Sequence, residues 1–181
     1  MKAVLFDLDG VFYEGDLAIP GAVDALDEIR RRGMPYLLVT NTTSRPRSAL
    51  VEKLAGFGLE VTEDEILTPA VAAGDWLREQ GAGPIAAFLD SATAKDLGEL
   101  ERLEAGAESG AGAVVVGDLG GAWDFASLNR AFRLLMAGDS TYLVALGMTR
   151  YWKAPSGLRL DTAPFVVALE HAAEVEAVVL G

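Results

Sequence analysis

Val4-Leu5-Phe6-Asp7-Leu8-Asp9-Gly10-Val11 stands almost at the start of the chain, and its reading decides the fold. Ala3 to Phe6 is a short apolar run that Asp7 ends. A run with no polar alternation is the pattern of a strand buried on both faces, as in the centre of a parallel sheet. Pro20 and Gly33 then bracket a helix with Val23, Leu26 and Ile29 along one side. Tyr36-Leu37-Leu38-Val39 is a second strand, ended by Thr40-Asn41. Ser44 and Pro46 start a second helix that closes near Gly56 and Gly58. Strand, helix, strand, helix is the grammar of a parallel sheet with covering helices, so the fold class is α/β.

Further along, Thr62-Glu63-Asp64-Glu65 fits a capping box, and Pro69 starts a helix that runs to about Gln80. Gly81-Ala82-Gly83-Pro84 reads as a hinge. A strand is expected at 84–89, a helix near 93–104 and a strand at Val114-Val115-Val116. Phe125, Leu128, Phe132 and Leu135 form the apolar stripe of another helix. Tyr142 to Leu146 is a strand. Ala154-Pro155-Ser156-Gly157 is a turn between Tyr151-Trp152 and Leu158-Leu160. A helix over 162–174 leads into Ala177-Val178-Val179-Leu180, a strand like the first. The two ends resemble each other, and the middle reads as an inserted α/β unit. The expected division is therefore core at 1–79, insert at 80–161 and core again at 162–181. In that arrangement 3–7 pairs in parallel with both 36–39 and 177–180.

The 181 residues are 51% hydrophobic and 23% charged, the balance of a globular chain with a real core. Fifteen Lys and Arg against 27 Asp and Glu give a net charge of −12, which repels nucleic acid and anionic membrane. The chain has no cysteine, which excludes disulfide scaffolds, thiolate metal sites and thiol nucleophiles. One histidine, His171, excludes a multi-histidine metal site within one chain. It sits beside Ala172 and Ala173 on an expected helix and is read as structural or surface. No segment approaches the ~18 apolar residues of a membrane span, and Asp7 and Asp9 interrupt any signal-peptide stretch. A cytoplasmic protein without membrane or nucleic-acid partners is expected.

Ligands of open α/β sheets sit beyond the carboxyl ends of the strands, and two polar clusters lie there. In Asp7-Leu8-Asp9-Gly10, alternation puts both carboxylates on one side while the backbone stays extended, and Gly10 permits a sharp turn. Such a pair can hold a hard cation through oxygen, or divide the work of nucleophile and proton carrier. It can equally cap a turn. Thr40-Asn41-Thr42-Thr43-Ser44 offers hydroxyls, an amide and free N–H groups before a helix, which suits an anion; as an ordinary helix start, Ser44 would be its cap. Arg45 and Arg47 lie near enough to draw anions in, and Arg30-Arg31-Arg32 fits a solvated helix end. Trp123, Phe125 and Trp152 are read as packing residues.

Val4 to Tyr13 resembles the first motif of the haloacid dehalogenase superfamily, and Leu38-Val39-Thr40-Asn41 its second. The stretches Leu146 to Lys153, Ser156 to Asp161 and Pro164 to Glu170 resemble class II members, most of all the phospholysine/phosphohistidine/inorganic pyrophosphate phosphatase group. The resemblance covers nearly the whole chain. It implies a Rossmann-like three-layer parallel-sheet core with an inserted α/β cap, and a Mg²⁺-dependent phosphatase acting on a small phosphorylated substrate. Asp7 would be the nucleophile that becomes an aspartyl-phosphate, and Asp9 the general acid and base. Asp7 by its carboxylate and Asp9 by its carbonyl would bind Mg²⁺. Thr40 and the Asn41 backbone would hold the phosphoryl group.

Two family pieces are missing from these 181 residues. One is the lysine of a Gly-Lys-Pro segment, which would follow where Gly181 stands; the other is a later acidic motif. Of the lysines Lys2, Lys53, Lys95 and Lys153, none follows a core strand; Lys153, in the insert, is read as solvent-facing ahead of the alternative that it reaches substrate when the cap closes, and Asp161 as turn residue or ligand alike. The front part of a longer phosphatase is therefore expected, inactive by itself and prone to self-association. Alternatives are a silent phosphate- or metal-binding or assembly protein and, less well matched, a response-regulator receiver, which has no inserted cap.

Overall fold

The computed structural model describes residues 3–138, 140–154 and 156–181; Lys2 and the turn residue Pro155 lie outside them. The first strand, β1 (Val4–Asp7), leads into a small antiparallel pair, β2 (Tyr13–Glu14) and β3 (Leu17–Ala18). Then follow α1 (Ala22–Arg31), β4 (Tyr36–Val39), α2 (Arg47–Gly56) and β5 (Ile66–Leu67). β1, β4 and β5 form a parallel sheet with β4 between the others. Phe6, Leu38 and Ile66 look to one face, where Leu26 of α1 and Leu50 and Leu54 of α2 meet them. Leu8 and Phe12 complete this core and are almost fully buried.

The second sheet begins after α3 (Pro69–Glu79). Its strands are β6 (Ile85–Phe88), β7 (Ala113–Val116) and, after α4 (Phe125–Met136), β8 (Tyr142–Ala145). A hairpin, β9 (Tyr151–Ala154) and β10 (Gly157–Leu160), leads through α5 (Ala163–Ala173) to β11 (Val178–Val179). The sheet is parallel throughout, in the order β11-β8-β7-β6. Alternation along it is regular. Val114, Val116, Leu143 and Ala145 pack with α4 and α5, while Ala113, Val115, Val144 and Leu146 pack with α3. This sheet with helices on both faces is a complete three-layer unit.

The expected pairing of 177–180 with the first strand is overturned. Val178 and Val179 lie beside Val144 and Ala145 of β8, and among the described residues β1 pairs only with β4. The reason is in the packing: Val166 and Leu169 of α5 are buried in the second sheet's core and bring the following strand with them. Likewise α3 packs against the second sheet through Ala70, Ala73 and Leu77, although it precedes the expected hinge. It comes so close that a Cβ on Gly74 would collide with the Leu97 carbonyl.

Two helix expectations also change. The segment near 93–104 is a short 3-10 helix, Thr93–Leu97, because Gly98 turns the chain with φ +74°. Arg102 then bridges to Ile85 at the edge of β6. In α4 the buried side is Ala131, Leu134 and Leu135, with Leu128 and Phe132 packed beside it; Phe125, at the first turn, is 82% exposed. No helix is long and apolar enough to cross a membrane.

Candidate active site

A cleft of about 630 Å³ lies at the carboxyl ends of β1 and β4, lined also by Asp118 beyond β7 and by Trp152, Lys153 and Asp161 of the hairpin segment. Its floor is built by alternation. Leu8 points into the core with no exposed surface, so Asp7 and Asp9 on either side of it both line the cleft. The Asp7 carboxylate accepts the Leu8 N–H at 2.8 Å. Gly10, at φ +81°, turns the chain back, and its N–H reaches the Tyr13 carbonyl at 2.7 Å. Phe12 anchors that turn against Phe6 with ring centroids 5.5 Å apart.

Thr40, Asn41, Thr42, Thr43 and Ser44 line the same cleft. Thr40 is buried, its N–H donates to the Leu67 carbonyl at 3.1 Å, and its Oγ1 accepts the Thr42 N–H at 3.2 Å. The loop is thus tied to β5 and to itself, while Asn41 stays exposed. The next helix is not capped by Ser44. The N–H of Arg47 donates instead to Asp96 at 2.7 Å, and Arg47 Nε reaches the same carboxylate at 3.4 Å. Asp96 belongs to the 3-10 helix beside the second sheet and its side chain is only 7% exposed. A residue of one unit therefore caps a helix of the other.

Arg45, expected near the anion loop, lines the cleft, and so does Asp161, which the sequence left open between turn residue and ligand. Sequence reasoning missed Lys53, which adds a cation, and Asp16 and Asp118, which add carboxylates. Lys153 is both exposed and at the cleft, because the β9–β10 hairpin carries it there with Trp152. Trp152, expected as packing, is 40% exposed, whereas Trp123 is packed, stacked between Phe88 and Phe165. His171 lies exposed, as expected. Lys53 sits 3.8 Å from the centre of the Tyr13 ring. Burial pushes the Tyr13 phenol up, with Asp9 and Asp7 adding to the rise and Arg45 opposing it, so the phenol stays neutral at the edge of the acid pair. Among the residues missed, Asp118 gave a usable sequence signal, standing just past an apolar strand as Asp7 does.

Acids and cations thus gather around a hydroxyl-rich loop at adjacent strand ends, the place where ligands of open α/β sheets sit. Residues 4–101 match the model of the haloacid dehalogenase-like hydrolases, and the chain belongs to that family. It is 34% identical over 185 residues to the human phospholysine phosphohistidine inorganic pyrophosphate phosphatase. It is 36% identical over 181 residues to the mouse haloacid dehalogenase-like hydrolase domain-containing protein 2. In each case all of this chain is matched and it spans 66% of the relative's length. A p-nitrophenyl phosphatase from Archaeoglobus fulgidus superposes with TM-score 0.82 at 26% identity, over 98% of this chain and 67% of that one. A hypothetical protein from Pyrococcus horikoshii superposes with TM-score 0.85 at 24% identity, over 100% of this chain and 71% of that one, a likeness of fold.

Proposed function

We propose that this chain carries the nucleophilic half of a phosphatase site for a small phosphorylated molecule. The observation that carries the proposal is the convergence of Asp7, Asp9, Thr40 and Asn41 on one cleft that also holds Arg45, Lys53 and Lys153. In a chain of net charge −12, Arg45, Lys53 and Lys153 gather in a cleft that also holds Asp7, Asp9, Asp16, Asp118 and Asp161, so cations stand ready to meet phosphate oxygens beside the acids. The relatives named as phosphatases support the same chemistry. The core of this unit would run from β1 to Thr68, and the inserted unit from Pro69 through β11. That division follows the packing of α3 and α5.

A Mg²⁺ ion fits the donor set. Asp7 would offer its carboxylate and Asp9 its main-chain carbonyl as hard oxygen ligands, which leaves the Asp9 carboxyl free to carry a proton, and Mg²⁺ commonly takes one or two carboxylates and keeps several waters. Among the described residues no group of three or more acidic or histidine side chains gathers to hold a metal, so these two would be its protein ligands here. When bound, the ion would offset repulsion between carboxylate and phosphate. The Asp7 carboxylate attacks phosphorus, and the bond to the leaving group breaks as Asp9 gives that group a proton. Asp9 then takes a proton from water, which attacks the aspartyl-phosphate, releases inorganic phosphate and restores Asp7. The Thr40 hydroxyl and the loop N–H groups steady the phosphoryl oxygens.

The test is hydrolysis of p-nitrophenyl phosphate by the full-length protein, with and without Mg²⁺, against Asp7→Asn. The variant is expected to keep the fold and lose activity by about three orders of magnitude or more, since an amide cannot replace the nucleophile. Turnover by Asp7→Asn at the wild-type rate would refute the assignment.

A further inference from the structure

Asp96 is a buried acid that the mechanism above does not use. Its side chain is 7% exposed and, among the described residues, accepts only from Arg47, from the N–H at 2.7 Å and from Nε at 3.4 Å. Both donors stand at the start of α2, whose neighbours in sequence supply no cap. Pro46, at the cap position, offers no side-chain acceptor, and the first turn of α2 holds no acid. The first N–H groups of a helix need an acceptor from outside it, and a carboxylate there also meets the positive end of the helix dipole. Asp96 answers both needs from 49 positions away. It is itself held firmly. Leu97, the next residue, has no exposed surface, and its carbonyl lies so close to Gly74 of α3 that a Cβ there would collide with it.

The contact ends on the loop that lines the cleft. At the start of that loop, the Thr40 N–H ties it to the Leu67 carbonyl at 3.1 Å. At its far end the chain passes through Arg45 and Pro46 to Arg47, whose Nη1 also reaches the Glu63 carbonyl at 3.1 Å. Residues 41–46 thus run between two fixed points, and Asn41 to Arg45 line the cleft on the way. The first point is fixed within the first unit; the second takes its carboxylate from the other unit. Building on the phosphatase function proposed above, we infer that Asp96 is a positioning residue for it: by capping α2 it sets the far end of the Thr40–Ser44 loop, so that the groups meeting the phosphoryl oxygens are aligned by both units together. Asp96 touches no substrate and carries no proton. Its effect passes through the Arg47 N–H and requires an acceptor oxygen there.

The full-length protein carries the test, at a temperature well below its unfolding. Asp96→Ala removes the acceptor, and Asp96→Asn keeps an oxygen for the Arg47 N–H. With p-nitrophenyl phosphate, Asp96→Ala is expected to lose about tenfold in kcat/KM, the scale of one charge-assisted hydrogen bond, and inhibition by inorganic phosphate should weaken by about the same factor. Asp96→Asn should stay within about threefold of wild type in both. A loss of stability alone moves neither number, because the protein remains folded at that temperature. Wild-type kcat/KM and phosphate inhibition in Asp96→Ala, or equal losses in the two variants, would overturn the proposal. Amide hydrogen exchange decides the point without turnover, and so separates it from failure of the phosphatase function. The Thr42 N–H, bonded to Thr40 Oγ1 at 3.2 Å, should exchange about tenfold faster in Asp96→Ala, while the Leu8 N–H, bonded to Asp7 at 2.8 Å, keeps its wild-type rate. An unchanged rate at Thr42, or the same acceleration at both amides, would overturn it as well.

Discussion

The two sheets are covered differently. In the four-stranded sheet every residue of β7 is fully buried, with α3 on one face and α4 and α5 on the other. In the three-stranded sheet α1 and α2 pack into the same core, with Phe6, Leu38 and Ile66. The opposite face carries Leu5, 70% exposed, beside Leu37 in register. Both are parallel sheets with apolar strands, so strand composition alone does not tell a covered face from an open one. What tells them apart is the number of helices each sheet receives. The site sits between the two units, and takes Asp7, Asp9, Arg45 and Lys53 from the first and Asp118, Lys153 and Asp161 from the second.

Truncation in the two cores breaks or sharpens this contrast most. In the 181-residue chain, Leu134→Ala removes a side chain with no exposed surface and should cost about 2–5 kcal/mol. Leu5→Ala in the same chain should stay within about 0.5 kcal/mol. Chemical denaturation of the pair measures both; similar losses would mean that the Leu5 face is covered after all. A smaller effect is expected at the junction. Asp96→Ala removes a helix cap and the partner of Arg47, for about 2 kcal/mol, while Asp96→Asn should lose roughly half of that because an amide oxygen still caps. Equal losses in the two variants would assign the effect to charge and not to capping.

The smallest effect concerns acid stability of the three-stranded sheet. Burial pushes the Glu65 carboxyl up, but the Tyr36 phenol, the Thr62 N–H and Arg30 together bring it below its ordinary value. A folded-state value that is depressed gives stability present above the unfolded value and lost as pH falls through the folded one. Wild type should therefore lose more melting temperature than Glu65→Gln between about pH 5 and pH 3, around and below the ordinary glutamate value. Parallel losses in the two proteins would remove Glu65 from the acid transition. Its side chain is 29% exposed, which keeps the expected difference small.

Much of this was legible in local pattern. Val4 to Gly10 announced a parallel strand and the acids beyond it, because the carboxyl end of such a strand is where polar groups can converge; its expected burial on both faces did not hold, since Leu5 is 70% exposed. Thr40 and Asn41 were legible for the same reason. The sheet to which 177–180 belongs was not. An apolar strand reads alike in either sheet, and only the burial of Val166 and Leu169 decides between them. Asp96 and Lys153 were hidden for another reason: their partners lie far away in sequence, and a single carboxylate or ammonium on a short element has no periodicity to reveal its role. Arg159 and Asp118, 41 positions apart in sequence, both come within 4 Å of where a Gly120 Cβ would stand, a proximity no local pattern reveals.

The cap that Asp96 places on α2 has a consequence for how such proteins can be recombined. The loop from Thr40 to Ser44 runs directly into that helix, so the helix start sets where the loop ends. A chimaera that receives its second unit from a distant relative would inherit whatever stands at position 96. Without an acceptor there, the graft would leave the Arg47 N–H unsatisfied just beyond that loop, even if both units folded perfectly. The two units are modular in their cores but share one indispensable residue at the joint, and swapping experiments should carry it along.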